Sequence, residues 1–178
     1  MKLILSRLLM VIVMIILLVS CGSDDDAGPG TKEFYMKFKA NGVQLVYDEQ
    51  AVAVFHYDAN NNGYNCQTYA NKTSELTKDA IDLMIVDTDE LTTGVTYSLK
   101  NEIDLQVFGP TPQAKAVYWD AAGKGFSAQL PAMTDEFVVT FTEITGDYVK
   151  GSFSGRVFTS VGREELIITE GEFKLSKN

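Results

Sequence analysis

Apolar and polar residues alternate along most of this chain. Phe34, Met36 and Phe38 fall on one side of a period-two pattern, with Tyr35, Lys37 and Lys39 on the other, which predicts a half-buried β-strand over residues 34–39. Asn41-Gly42 follows, the strongest short hairpin signal, and Val43–Tyr47 is the expected return strand. Residues 51–57 are apolar at odd and even positions alike, which predicts a strand covered on both faces, with His56 packed inside it. Residues 67–72 form a weaker strand signal, and 74–78 a turn or a short helical piece. Ile81, Leu83 and Ile85 alternate again, and the pattern continues through 95–99, 103–108, 114–119 and 126–130. In the last third, Phe137, Val139 and Phe141 point one way. After a turn at Gly146-Asp147, so do Val149, Gly151, Phe153, Gly155 and Val157. Residues 165–175 close the chain, with a bulge expected at Gly171.

No segment carries a helical repeat over ten residues or more. Many short strands with turn residues between them imply an all-β fold: a single antiparallel β-sandwich or barrel-like domain over residues 34–178. No fixed-period repeat and no second domain is visible.

The pattern breaks only at the beginning. Lys2 and Arg7 precede an unbroken apolar run over residues 8–19, and Ser20-Cys21 follows. That is the layout of a cleaved secretory signal peptide over residues 1–20, and the run is shorter than the ~20 residues a membrane span needs. Leu18-Val19-Ser20-Cys21 resembles the lipobox of bacterial lipoproteins. The resemblance implies cleavage before Cys21 and a covalent lipid on its sulfur, with membrane contact through that anchor. Two or three acyl chains anchor stably because each buried CH₂ contributes ~0.8 kcal/mol. Residues 21–33, with Asp24-Asp25-Asp26 and then Ala27-Gly28-Pro29-Gly30, read as a flexible tether, since like charges repel and Gly and Pro break regular structure. The acidic stretch is similar to the one that follows the acylated cysteine in lipoproteins of Bacteroidetes-type bacteria. There it marks export to the outer face of the outer membrane; the periplasmic face is the alternative.

A second resemblance covers about half of the remaining chain. Gly94-Val95-Thr96-Tyr97-Ser98-Leu99, Val117-Tyr118, residues 138–143, residues 149–155 and residues 168–173 are similar to a group of uncharacterised lipoproteins from the same bacteria. The likeness implies a compact all-β domain behind a lipid anchor and carries no catalytic residue with it.

Charge narrows the partners. The 178-residue chain has 24 acidic and 15 basic residues, two of the latter in the leader, so nucleic acid and anionic lipid are poor partners for it. With Cys21 acylated, Cys66 is the one thiol left, which excludes an internal disulfide and cysteine metal chemistry. Asp58-Ala59-Asn60-Asn61-Asn62-Gly63 begins like an EF-hand loop, with Asp58, Asn60 and Asn62 as weak Ca²⁺ candidates. The twelfth position is Tyr69 where a glutamate should stand, so an Asx-rich turn is the preferred reading. Gly151-Ser152-Phe153-Ser154-Gly155 has phenylalanine where a nucleophile elbow needs serine. With one histidine and none of these motifs intact, a binding or interaction module is expected rather than an enzyme, and no cofactor beyond the lipid. A lipocalin-like barrel holding a small apolar ligand is the alternative. For a glycan or protein ligand, Tyr118, Trp119 and Asp120 are the candidate contacts, because they combine the only tryptophan with a neighbouring carboxylate. Core packing of Trp119 is the competing reading.

Overall fold

Eleven strands form, and no helix, among the residues described in a computed structural model: 32–59, 63–98, 113–128, 137–161 and 164–178. They are β1 (Tyr35–Ala40), β2 (Val43–Tyr47), β3 (Gln50–Asp58), β4 (Gly63–Asn71), β5 (Ala80–Asp87), β6 (Thr96–Ser98), β7 (Gln113–Trp119), β8 (Gly125–Ser127), β9 (Val138–Ile144), β10 (Tyr148–Phe158) and β11 (Glu165–Lys177). The all-β architecture expected from the alternation is the one found. The cysteine anchor, the acidic tether and the strand expected at 103–108 lie outside the described residues.

The first hairpin forms as its turn dictates. Asn41 and Gly42 both take positive φ, 47° and 81°, and Ala40 pairs with Val43 across them. Two left-handed residues give the turn the twist of the flanking strands. Pairings then run β2-β1-β11-β3-β4-β5-β7-β8-β10-β9-β6, and β10 also pairs with β11. That additional pairing closes a circuit of seven strands. Two walls result: β2-β1-β11-β10-β9-β6 on one side and β3-β4-β5-β7-β8 on the other. They join at two narrow corners, where Phe158 of β10 meets Ser127 of β8, and where Ser176 and Lys177 of β11 run parallel to Val52 and Ala53 of β3. This parallel pair is the one departure from an antiparallel arrangement among the described strands.

The space between the walls is filled by the residues that the period-two pattern points inward. Met36, Phe38, Ile81, Leu83, Ile85, Val139, Phe141, Ile168 and Leu175 are fully buried. Aromatic rings bridge the walls: Phe38 meets Tyr118 edge-on at 5.9 Å between centroids, and Phe55 meets Phe141 at 5.9 Å. Small residues on β3, β4 and β7 (Ala51, Ala53, Ala70, Ala114, Ala116) make room for those rings.

Two expectations need correction. β3 is covered on one face only: Ala51 and Ala53 are buried, whereas Val54, on the other side, is 43% exposed. His56 is therefore an exposed residue, with its Nε2 2.6 Å from the Asn65 amide nitrogen, and not a packed one. The apolar composition of β3 reflects an open apolar surface on its outer side. Residues 74–78 form a turn, the first of the two readings. The bulge expected in β11 at Gly171 is present: Glu170 and Gly171 together stand opposite Phe38 of β1. Glu170 takes the left-handed φ of 52°, and the register of β11 slips against both β1 and β10 there.

Candidate functional site

β7 runs outward and inward alternately, so it separates the three neighbours that the sequence grouped. Tyr118 points into the core against Phe38 and Phe126. Trp119 points the other way and is half-buried on the outer side of the β3-β4-β5-β7-β8 wall. Asp120 begins the turn into β8. Its Oδ1 accepts from the backbone N–H of Ala122 and Lys124 at 2.9 and 2.8 Å, and its carbonyl accepts from Gly123 and Asp79. Asp120 thus holds a turn together, as short carboxylates do.

The outer side of this wall can be read in rows across the strands. One row is Gln50, Asn71, Ala80, Trp119 and Gly125; the next is Val52, Tyr69, Asp82 and Val117; the third is Val54, Gln67, Met84 and Lys115. Trp119 lies over Gly125: a Cβ added to that glycine would stand 3.5 Å from the indole Nε1 and 3.6 Å from Cδ1. The missing side chain leaves room for the indole beside its neighbour. Asn71 is buried and satisfied, its Oδ1 accepting from the Gln50 N–H and its amide donating to the Tyr69 hydroxyl at 3.1 Å.

Asp82 is the unusual member. Gln67 donates its amide N–H to Oδ2 at 3.0 Å, while Oδ1 is enclosed without a hydrogen-bond partner. Burial pushes the Asp82 carboxyl above the usual carboxylate range, and the Gln67 hydrogen bond only partly offsets this. A half-desolvated carboxylate without a cation costs stability. No ion pair between described residues crosses this face. The sequence signal for Asp82 was a lone acid inside Ile81-Asp82-Leu83-Met84-Ile85-Val86, which the alternation places outward. Tyr69 and Gln67 had no comparable signal.

The outer side of the opposite wall is built differently. Lys37 pairs with Glu172, Lys39 with Glu170, and Lys150 with Glu143, at 2.7, 2.7 and 3.0 Å. Tyr148 donates to Glu143 at 2.6 Å, and hydrogen bonds from Tyr148 and then Lys150 hold the Glu143 carboxyl below its ordinary value. Charges there answer one another across neighbouring strands, as on an ordinary solvated face.

The remaining candidates fall elsewhere. Asp58 closes β3 opposite Gly63, and Asn60 and Asn62 lie outside the described residues. Among the described residues no group of three His, Cys, Asp or Glu is placed to hold a metal ion. Gly151-Ser152-Phe153-Ser154-Gly155 runs along β10 as a strand. Cys66 is fully buried on the inner side of β4, and burial pushes its thiol up to about 12. With Cys21→Ser leaving Cys66 as the sole thiol, native protein is expected to react with Ellman's reagent at pH 8 far more slowly than denatured protein, since the thiolate is the reacting form. Equal rates would mean that β4 is not sealed. Comparison with known families, characterised proteins and solved structures gives no match for this chain.

Proposed function

We propose that this chain is a lipid-anchored binding module. The anchor is the lipid on Cys21; the tether through Asp24-Asp25-Asp26 carries the β-domain to the outer surface of the outer membrane; and the domain recognises a ligand without transforming it. The observation that carries the reading is the contrast between the two outer faces. One is laced by Lys–Glu pairs. The other presents aromatic, amide and aliphatic side chains around a carboxylate that the fold does not neutralise. A surface that gives up stability around an unpaired polar group is a candidate site of recognition.

Other features support binding over catalysis. The single imidazole is exposed and its one partner is an amide, the thiol of Cys66 is sealed, and both serines of the β10 glycine segment sit in a regular strand. Nucleophilic chemistry needs an activating base at hydrogen-bond reach, and among the described residues none of these has one. Aromatic rings meeting between the walls favour a ligand held outside the sheet over one carried in a barrel interior.

The anchoring half is tested by fractionation. Cys21→Ser is expected to move the protein from the membrane to the soluble fraction, or to leave an uncut precursor. In intact cells, added protease is expected to remove the unmodified domain, and alanines at Asp24, Asp25 and Asp26 to protect it. A Cys21→Ser protein that stays membrane-bound with a processed N-terminus would sink the lipoprotein reading. Full protection of the unmodified protein would place it on the periplasmic side.

A further inference from the structure

The outer face of β3, β4, β5 and β7 has a chemistry that points to a particular ligand class. Resting on the binding-module reading, we infer that this face binds an uncharged carbohydrate chain, laid across the strands from Trp119 toward Tyr69. The indole of Trp119 passes beside Gly125, its strand neighbour, and is only partly buried, so part of its surface is open to solvent. A partly exposed indole on a sheet face can stack on the C–H face of a pyranose, where apolar contact and the ring quadrupole both contribute. Tyr69 stands two strands away and one outward row along. At ~4.8 Å between strands and ~3.3 Å per residue, the two side chains leave the sheet roughly 12 Å apart. That separation exceeds one sugar ring, so the two aromatics engage different rings of one chain. Ala80, small and fully buried, stands between their strands and is covered by its neighbours, so a ligand would meet the side chains around it and not Ala80 itself.

Hydroxyl recognition comes from the same rows. Gln67 gives its amide N–H to Asp82 Oδ2. Its carbonyl oxygen is thereby turned away from the carboxylate and available to accept from a sugar hydroxyl. Asp82 is a positioning residue here: it fixes the Gln67 amide, and its enclosed Oδ1 keeps it from meeting a ligand ion. The formal charge of −9 and the Asp82 carboxylate oppose an anionic ligand, and no unpaired exposed acid faces outward in these rows for a cationic one.

Trp119 is the only tryptophan, so its emission reports on this face alone. The test uses the chain carrying Cys21→Ser, titrated with maltohexaose, cellohexaose, xylohexaose and mannohexaose, with glucose and polygalacturonate as comparison arms. At least one neutral hexasaccharide is expected to shift the Trp119 emission saturably, with glucose and polygalacturonate much weaker. By calorimetry, Trp119→Ala and Tyr69→Ala are expected to weaken that binding about tenfold or more, as the loss of a stacked ring implies. Asp82→Asn is expected to weaken it while melting at or above the temperature of the unsubstituted chain. Far-UV circular dichroism of each variant must match the parent. Three results overturn the inference: no emission shift or heat with any hexasaccharide at millimolar concentration; binding that Trp119→Ala leaves unchanged; or sedimentation showing self-association that Val54→Glu abolishes, which would assign the face to a second copy of the chain. The anchoring experiment is independent. A chain that fails fractionation yet binds a hexasaccharide loses the lipoprotein reading and keeps this one, and the reverse pattern removes only the carbohydrate.

Discussion

Gly171→Ala and Gly151→Ala are each expected to destabilise the fold by about 3 kcal/mol or more, at the upper end of the range for overpacking. The reason lies in how β10 and β11 are paired. Gly151 stands opposite Phe173, and Phe153 stands opposite Gly171. Each phenylalanine covers the glycine across from it, and the two rings lie 6.3 Å apart between centroids. A methyl group at Gly171 would strike the Phe153 carbonyl oxygen and, at 2.8 Å, two of its ring carbons. At Gly151 it would strike the Phe173 ring and the Thr140 carbonyl oxygen. A ring can swing aside; a carbonyl already engaged in a sheet cannot move without breaking its ladder. Gly146→Ala is the control, since its added Cβ meets nothing within 4 Å. Urea unfolding monitored by Trp119 fluorescence measures all three. For a domain of this size each kcal/mol lowers the melting temperature by ~2–4 °C, so a drop near 10 °C is expected for Gly171→Ala and almost none for Gly146→Ala. Equal midpoints would show that the glycine–phenylalanine pairing is not what closes this part of the sheet.

That pairing also shows where sequence reasoning stops. The alternation in 149–157 correctly put Val149, Gly151, Phe153 and Val157 on the inner side. The count carries through Gly155 to Val157 because the extra residue lies in β11, between Ile168 and Gly171, and leaves the parity of β10 intact. In the structure the register shifts between Phe153 and Gly155, and Gly155 is half-exposed with a φ of 146°. The two-residue turn at Asn41-Gly42 was legible because its conformation is decided by the two residues themselves. The closure of the ring was not, because it depends on Ser176 and Lys177 meeting Val52 and Ala53 across more than a hundred residues of chain. The same limit applies at the site. Tyr118, Trp119 and Asp120 are adjacent in sequence and diverge in space, while Trp119, Tyr69, Gln67 and Asp82 converge on one face from three strands. Strand order fixes that convergence, and strand order is a property of the whole sheet. β3 misled for a related reason: an apolar strand with an open outer side has the same composition as one covered twice.

Phe38→Ala is expected to cost about 3–5 kcal/mol, the range for losing a fully buried aromatic ring. The ring sits where β1, β2, β7 and β10 meet, 5.4 Å from Tyr47, 5.9 Å from Tyr118 and 5.7 Å from Phe153. Removing it leaves a void between the two walls, and its neighbours have little freedom to fill it because Tyr47 and Tyr118 are themselves enclosed. Tyr47 makes the complementary case. Its hydroxyl is buried with no hydrogen bond of ordinary geometry, and burial first, then the nearby Tyr118 hydroxyl and the Asp79 and Asp120 carboxylates, push its ionisation upward. A buried hydroxyl without a partner is a net cost. Tyr47→Phe keeps the edge-on packing against Phe38 and removes that cost, so it is expected to leave stability unchanged or raise it by about 1 kcal/mol. The two variants, one ring apart, are thus expected to move the urea midpoint in opposite directions or nearly so. A Tyr47→Phe protein destabilised by more than about 1 kcal/mol, the usual net worth of one hydrogen bond, would show that the hydroxyl has a partner after all. A Phe38→Ala protein that unfolds at the parental midpoint would mean that the walls do not close on this ring.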